Sequence, residues 1–394
     1  MKFIHYIIIG LLYFAAASSY NDALNQIALY AATPAAFVLS LLSNRQKVFA
    51  NKYLNILLLM YLWVLFTGLF SIEPSRTYRQ ISQILGVILI SLTVANLSKN
   101  KHCIPWLYGI YIVLAFAIFT YVKNNLLTIA YDISTSRIGD DKLNTNKIAY
   151  YTFFVTSALY IFGTFDYKFV IKKTFRILFL LMIPATFVIA LYTASRQIVV
   201  IQIPLFLLLI YIRYFKTRKY ALRNIVILGA VLVYITATYS DEIINTYDNS
   251  FLKTRSEKKV EDDTRYKLLK QALEVGKDNP IVGVGPGCFA KLQPRHMFSH
   301  CTYTELFANS GIPALLLFCY AIFGFIKCTF LDYRKSKKSE YLAFAAITSI
   351  YALYNVFYVF YVDLWMIGFF TLISSHYIQI KKDYQHELTA TPQF

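Results

Sequence analysis

Residues 262 to 312 read DDTRYKLLKQALEVGKDNPIVGVGPGCFAKLQPRHMFSHCTYTELFANSGI, the one long polar interval in an otherwise apolar chain. Its opening carries a helix signal. Asp262 and Asp263 stand ahead of Thr264 as N-cap residues, and Leu269, Ala272, Leu273 and Gly276 recur at three- and four-residue spacing, which predicts one apolar helix face. Asp278-Asn279-Pro280 stops that helix, and Gly283-Val284-Gly285-Pro286-Gly287 follows as a turn whose glycines permit close backbone approach. Ser299-His300 then precedes Thr302-Tyr303-Thr304-Glu305, a capping-box spacing directly before an apolar run. Arg265 therefore starts one helix, and His300 sits beside the start of another. A helix N-terminus favours anions and disfavours a protonated imidazole, so His300 is expected to tend toward the neutral form suited to a general base.

Outward from this interval the chain is greasy. Of 394 residues, 57% are hydrophobic, 17% aromatic and only 15% charged, too much apolar surface for a water-soluble globule. The formal charge of +18 is spread as short basic clusters between apolar runs rather than gathered in a basic domain, which argues against nucleic acid as a partner. Cys103, Cys288, Cys301, Cys319 and Cys328 show no CxxC spacing, so neither a zinc nor a redox motif is supported. Cys288 and Cys301 share the polar interval, and a disulfide between them is compatible with an oxidising compartment.

Apolar spans long enough to cross a bilayer begin near Phe3, Ala23, Leu54, Ile81, Trp106, Ile148, Ile177, Ile198, Ile225, Tyr303, Leu342 and Leu364. The expected fold is all-α, a polytopic membrane protein with about twelve transmembrane helices and one long helical external loop. Its expected divisions are about nine helices over residues 1–238, the loop with its amphipathic helix over 239–302, about three helices over 303–380, and a tail over 381–394 that reads as disordered. Phe3 to Ala17 followed by Ser18-Ser19 also has the form of a signal peptide, but the succession of spans behind it favours a first transmembrane helix. With both termini inside, 22 lysines and arginines fall on the cytoplasmic side against seven in short external segments, which puts the long loop outside the cytoplasm.

Those seven oppose the topological bias: Arg76, Arg79, Lys123, Arg137, Lys142, Lys147 and Arg196. Arg196 is the sharpest, lying between two apolar spans with almost no loop to solvate it, where an arginine usually faces a protein interior or a water-filled cavity. Snorkelling to the interface is its bland alternative, and solvation in a polar loop is that of Arg137. External arginines with a histidine beside a bilayer fit recognition of a lipid-linked phosphate or pyrophosphate, since guanidinium forks bind phosphoryl oxygens bidentately. They also stabilise charge developing on a leaving pyrophosphate, so no metal or other cofactor is required. A competing metal reading would use Asp140-Asp141 or Asp262-Asp263. The glycine turn lacks GxGxxG spacing, there is no GxSxG or HExxH, and Pro294 disfavours a helical metal pair of His296 with His300.

The segments SRIGDDKLNTNKIAYY, YTASRQ, DDTRYKLLKQALEVGKDNPIVGVGPGCF and SHCTYTELFANSGIPALLL, in that order, resemble the O-antigen ligase and polymerase superfamily of bacterial envelope glycosyltransferases. The resemblance implies a multi-pass protein of the bacterial inner membrane, with a periplasmic active face and cytoplasmic termini. It implies transfer of a glycan from undecaprenyl pyrophosphate to an acceptor sugar hydroxyl, such as that of lipid A-core, without metal or nucleotide. Arg137, Arg196 and Arg265 resemble the arginines that hold the pyrophosphate, and His300 the histidine that deprotonates the acceptor. The family's usual asparagine after that histidine is Cys301 here, which bears on acceptor positioning. Within the family, a repeat-unit polymerase for O-antigen, capsule or exopolysaccharide uses the same donor chemistry, and a protein O-oligosaccharyltransferase is a third acceptor class. A lipid-linked oligosaccharide flippase is the rival from another class, but no paired halves with interrupted helices are visible in the sequence.

Overall fold

The computed structural model describes residues 2–18, 22–43, 51–128, 145–165, 171–193, 198–215, 264–293 and 296–390, with single positions at 167, 195, 245, 248 and 253. Among these no β-strand occurs. Arg137, Arg196, both aspartate pairs and the span expected from Ile225 lie outside the described residues. The helices are α1 (Phe3–Ala17), α2 (Asp22–Ile27), α3 (Thr33–Ser43), α4 (Lys52–Thr67), α5 (Pro74–Leu97), α6 (Ile104–Thr128) and α7 (Thr145–Thr164). They continue with α8 (Lys172–Thr193), α9 (Ile203–Ile210), α10 (Thr264–Asp278), α11 (Thr302–Ser336), α12 (Ser339–Tyr354) and α13 (Leu364–Ala390). Single π-helical turns, Ala28–Ala32 and Ile198–Gln202, lead into α3 and α9.

Four stretches among the described residues are long and apolar enough to cross a membrane, namely Ala23–Ser43, Lys52–Phe70, Pro74–Leu97 and Thr302–Ser336. Phe3–Ala17, Ile104–Phe116 and Val200–Arg213 are shorter apolar helices. α4 shows why such helices suit a bilayer. Tyr53, Leu57, Met60, Tyr61 and Val64 are buried on one face, whereas Leu59, Leu62 and Phe66 stand exposed on the other. A helix apolar all round needs a non-aqueous medium on its outer side. Asn51 starts it by accepting hydrogen bonds from the Tyr53 and Leu54 N–H groups, and its amide donates to the Ser374 and Ser375 hydroxyls of α13.

The chain packs into two compact units, each assembled from separate segments. The first contains residues 1–110, 260–335 and 351–394, and the second residues 111–259 and 336–350. In the first, α13 packs along α5 and touches α4, and α3 lies between α1 and α5. An aromatic junction ties α4, α11 and α13 together: the Phe325 ring is 5.0 Å from Tyr53, 5.7 Å from Phe370 and 5.3 Å from Tyr377. In the second, α7 packs on α8, with Tyr160 edge-on to Phe179, and Gln202 donates a 2.8 Å hydrogen bond to Thr156.

Two expectations are corrected here. The C-terminal tail is helical through Ala390, and at its start Lys381, with Tyr377 one turn earlier, reaches Asp332 of α11 at 2.6 Å and 2.5 Å respectively. The span from Tyr303 is interrupted: Gly311 has φ 75° and ψ −176°, and Pro313 follows. Residues 312–336, about 37 Å of helix at 1.5 Å per residue, are enough to cross a bilayer on their own. The preceding turns carry Thr302, Thr304, Glu305, Asn309 and Ser310, all buried inside the protein.

Candidate functional site

The break in α11 organises the polar interval. A helix carbonyl normally receives the N–H four residues on, but Pro313 has no N–H to give Asn309, and Ile312 donates instead to the Pro280 carbonyl at 2.8 Å. The Ala308 and Asn309 carbonyls are thereby released, and the Val284 and Gly285 N–H groups occupy them at 2.9 Å and 3.0 Å. The Ser310 carbonyl accepts from the Trp63 indole N–H at 2.9 Å. The glycine turn is therefore stitched by backbone bonds into a gap in a helix, which satisfies groups that burial would otherwise leave orphaned.

Gly283, Gly285 and Gly287 all have positive φ, and the fit around them is close. A Cβ on Gly283 would run into the Asn309 backbone, and one on Gly285 would lie 2.6 Å from Ser71 Cα. Gly285→Ala is expected to cost about 1–3 kcal/mol through overpacking and backbone strain, whereas Gly324→Ala, where nothing stands within 4 Å, serves as a neutral control. Thermal unfolding in detergent checks this, and equal midpoints for the two variants would contradict the packing described.

Below the turn lies the segment from Ser71 to Thr77. Ile72 N–H donates to the Val284 carbonyl at 3.1 Å, and Thr77 Oγ1 donates to the Pro286 carbonyl at 3.2 Å. Ser71 and Thr77 hydroxyls meet the Cys288 thiol at 3.2 Å and 3.4 Å. Cys288 and Cys301 are both buried and neither is in a disulfide, so the pairing compatible with their positions does not form. Glu73 faces Lys291 at 3.6 Å, and the hydrogen bond from Ser75 followed by the Lys291 ammonium holds its carboxyl below the usual carboxylate range.

α10 begins at Thr264 and ends at Asp278, as the Asp-Asn-Pro stop predicts. Its buried face is Leu268, Ala272 and Gly276, one position away from the expected Leu269 and Leu273. Ala272 packs with Phe289 and Ala308, and Gly276 lies under the Phe307 ring. Small residues there let α10 approach α11 closely. Arg265 is the second residue of α10 and half-buried.

His300 is half-buried between Ser299 and Cys301, which are 1% and 3% exposed. Its φ of 58° lies in the left-handed region, which histidine tolerates better than most side chains. Three anchors hold this turn. The Ser299 N–H donates to Glu305 Oε2 at 2.7 Å, the Ser299 hydroxyl donates to the Cys301 carbonyl at 3.0 Å, and the Thr302 N–H donates to Asn355 and Tyr358 carbonyls at 2.8 Å and 3.0 Å. The capping box takes a different form from the one expected. The Thr302 hydroxyl donates to Tyr358 and accepts from the Phe360 N–H, and Glu305 reaches back to Ser299.

In the sequence Glu305 reads only as a capping-box residue, but its contacts reach further. Its other oxygen accepts from the Asn309 amide at 2.9 Å, and Asn309 Oδ1 accepts from the Phe289 N–H at 2.8 Å. One buried carboxyl thus links the His300 turn to the chain that follows the glycine turn. The available signal was Glu305 and Asn309 at i, i+4 inside an apolar run, where polar pairs are expensive unless they serve a network. Arg76, singled out for opposing the charge bias, stands half-buried in the first turn of α5, in the same Ser71–Thr77 segment that supports the glycines. Arg265, His300 and Arg76 all belong to the first unit. Among the described residues no group of three or more His, Cys, Asp or Glu side chains could hold a metal.

Among the described residues the architecture is all-helical, with four stretches long and apolar enough to cross a membrane and a glycine turn sewn into a broken helix. Residues 177–319 match the family model described as O-Antigen ligase, which supports membership of the O-antigen ligase and polymerase superfamily. No curated protein matches the chain.

Proposed function

We propose that this protein is a glycosyltransferase that moves a glycan from undecaprenyl pyrophosphate to an acceptor sugar hydroxyl, that of lipid A-core, at the periplasmic face of the inner membrane. The observation that carries this reading is the O-Antigen ligase match over residues 177–319, a segment that contains Arg196, Arg265 and His300 together. The rigid mounting of His300 supports it, since a general base must be held in reach of the proton it removes. His300 takes the acceptor proton as the acceptor oxygen bonds to the anomeric carbon and the carbon–oxygen bond to pyrophosphate breaks. Single displacement inverts that centre. Arg137, Arg196 and Arg265 neutralise the departing pyrophosphate, a role for which guanidinium is suited at any relevant pH. In this reading there are about twelve spans with the loop external, the isoprenoid tail lies among the helices and the reaction takes place at the surface.

Arg265→Ala is expected to slow transfer by about 10²-fold, with the larger part appearing as weakened donor use. Initial rates against donor concentration with purified protein check this; an unchanged donor dependence would remove Arg265 from the pyrophosphate site. Ligase and polymerase differ in acceptor. In a deletion strain, naked core with long lipid-linked chains supports ligase, whereas single repeats attached to core would assign the polymerase activity instead. Translocation of the lipid-linked glycan without glycosidic transfer would replace both with a flippase.

A further inference from the structure

The second unit contains a cavity of about 390 Å³ at the start of α12. Its walls include Tyr160 and Thr164 of α7, Arg213 beyond α9, and Lys337, Lys338 and Glu340 at the turn into α12. Three cations face one carboxylate, and a fourth cation, Arg176, lines a smaller adjoining recess that Tyr160, Thr164 and Arg213 also border. Arg176 is fixed there by a 2.8 Å bond from its Nε to the Gly163 carbonyl. The volume falls within the range of small-molecule sites, roughly 300–1,000 Å³.

The backbone supplies a second observation. Lys337 has φ 57°, a conformation that glycine adopts without strain and lysine does not. Strained non-glycine positions are retained where the side chain serves a purpose. The helices beside the cavity expose apolar side chains, among them Ile177 and Leu181 of α8 and Leu207 of α9. By the charge bias of the loops, this end of the unit is the one expected on the cytoplasmic side.

We propose that this cavity binds the phosphodiester headgroup of an anionic phospholipid of the cytoplasmic leaflet, with Arg213, Lys337 and Lys338 on the phosphate and the acyl chains along α8 and α9. Basic recesses at the cytoplasmic ends of membrane helices suit such headgroups, and the adjacent apolar faces distinguish a lipid from a soluble anion. The site is separate from glycan transfer, so it stands or falls independently of the enzymatic reading.

The test uses the full-length protein in nanodiscs of phosphatidylcholine alone or with one part in five phosphatidylglycerol. Phosphatidylglycerol is expected to raise the unfolding midpoint of the wild type, to be retained through purification, and to slow acylation of Lys337 and Lys338 at least fivefold relative to Lys270. The triple variant Arg213→Gln, Lys337→Gln, Lys338→Gln is expected to lose the stabilisation, whereas Lys337→Arg with Lys338→Arg keeps it. The acylation measurement needs no variant, so misfolding of the triple substitution does not decide the outcome. Equal acylation in both lipid compositions would overturn the site. Full protection by millimolar inorganic phosphate in phosphatidylcholine discs would overturn the lipid assignment in favour of a soluble anion.

Discussion

Replacing His300 by alanine or asparagine is expected to lower transfer from a purified lipid-linked donor by about 10²- to 10⁴-fold, the usual contribution of a positioned general base. Two substitutions are needed because of the backbone. His300 sits at φ 58°, where alanine adds strain while asparagine is tolerated, so the asparagine variant removes the base with least disturbance to the turn. Both variants keep the anchors at Ser299, Glu305 and Thr302, so the asparagine variant's unfolding midpoint should stay near that of the wild type and the alanine variant's should fall only by the backbone strain. The loss should appear in turnover more than in donor KM, because the base acts on the acceptor proton in the transition state. Near wild-type turnover by the asparagine variant would exclude His300 as the base and leave the transfer reading without its central residue.

Glu305→Ala should damage the same site by another route. The carboxyl is fully buried and accepts from the Ser299 N–H and the Asn309 amide. Truncation leaves two donors without acceptors, at about 1–3 kcal/mol each, and opens a cavity besides. Glu305→Gln keeps the volume and one acceptor oxygen, so its loss of stability should be roughly half as large. The expected signature is a lowered midpoint in detergent together with faster proteolysis between Lys291 and Ser299, and loss of transfer even below the new midpoint. Unchanged proteolysis and turnover in Glu305→Ala would mean that the carboxyl does not hold the His300 turn.

The reading of α10 shows where sequence pattern stops. Asp278-Asn279-Pro280 ends the helix because proline cannot continue it, and that is visible locally. Leu268 and Leu269 are equivalent as letters, and only the docking of Ala272 and Gly276 against Ala308 and Phe307 makes Leu268 the buried one. The cysteines teach the same lesson, since sharing a loop made a disulfide feasible while the Ser71 and Thr77 hydroxyls claim Cys288. Gly311-Ile312-Pro313 carried a break signal in plain view, yet its consequence depended on what would fill the gap.

The sequence by itself determined the helical, membrane-compatible character of the described residues, the stop of α10, and the candidacy of Arg265 and His300, because apolar runs and proline act over a few residues. Only the tertiary structure decided that Val284 and Gly285 occupy the carbonyls freed at Ala308 and Asn309, and that Glu305 rather than a local cap fixes the His300 turn. The physical reason is that a broken helix leaves orphaned polar groups that must be satisfied within a dry interior. Which distant segment supplies the partners depends on packing that no short window of sequence records.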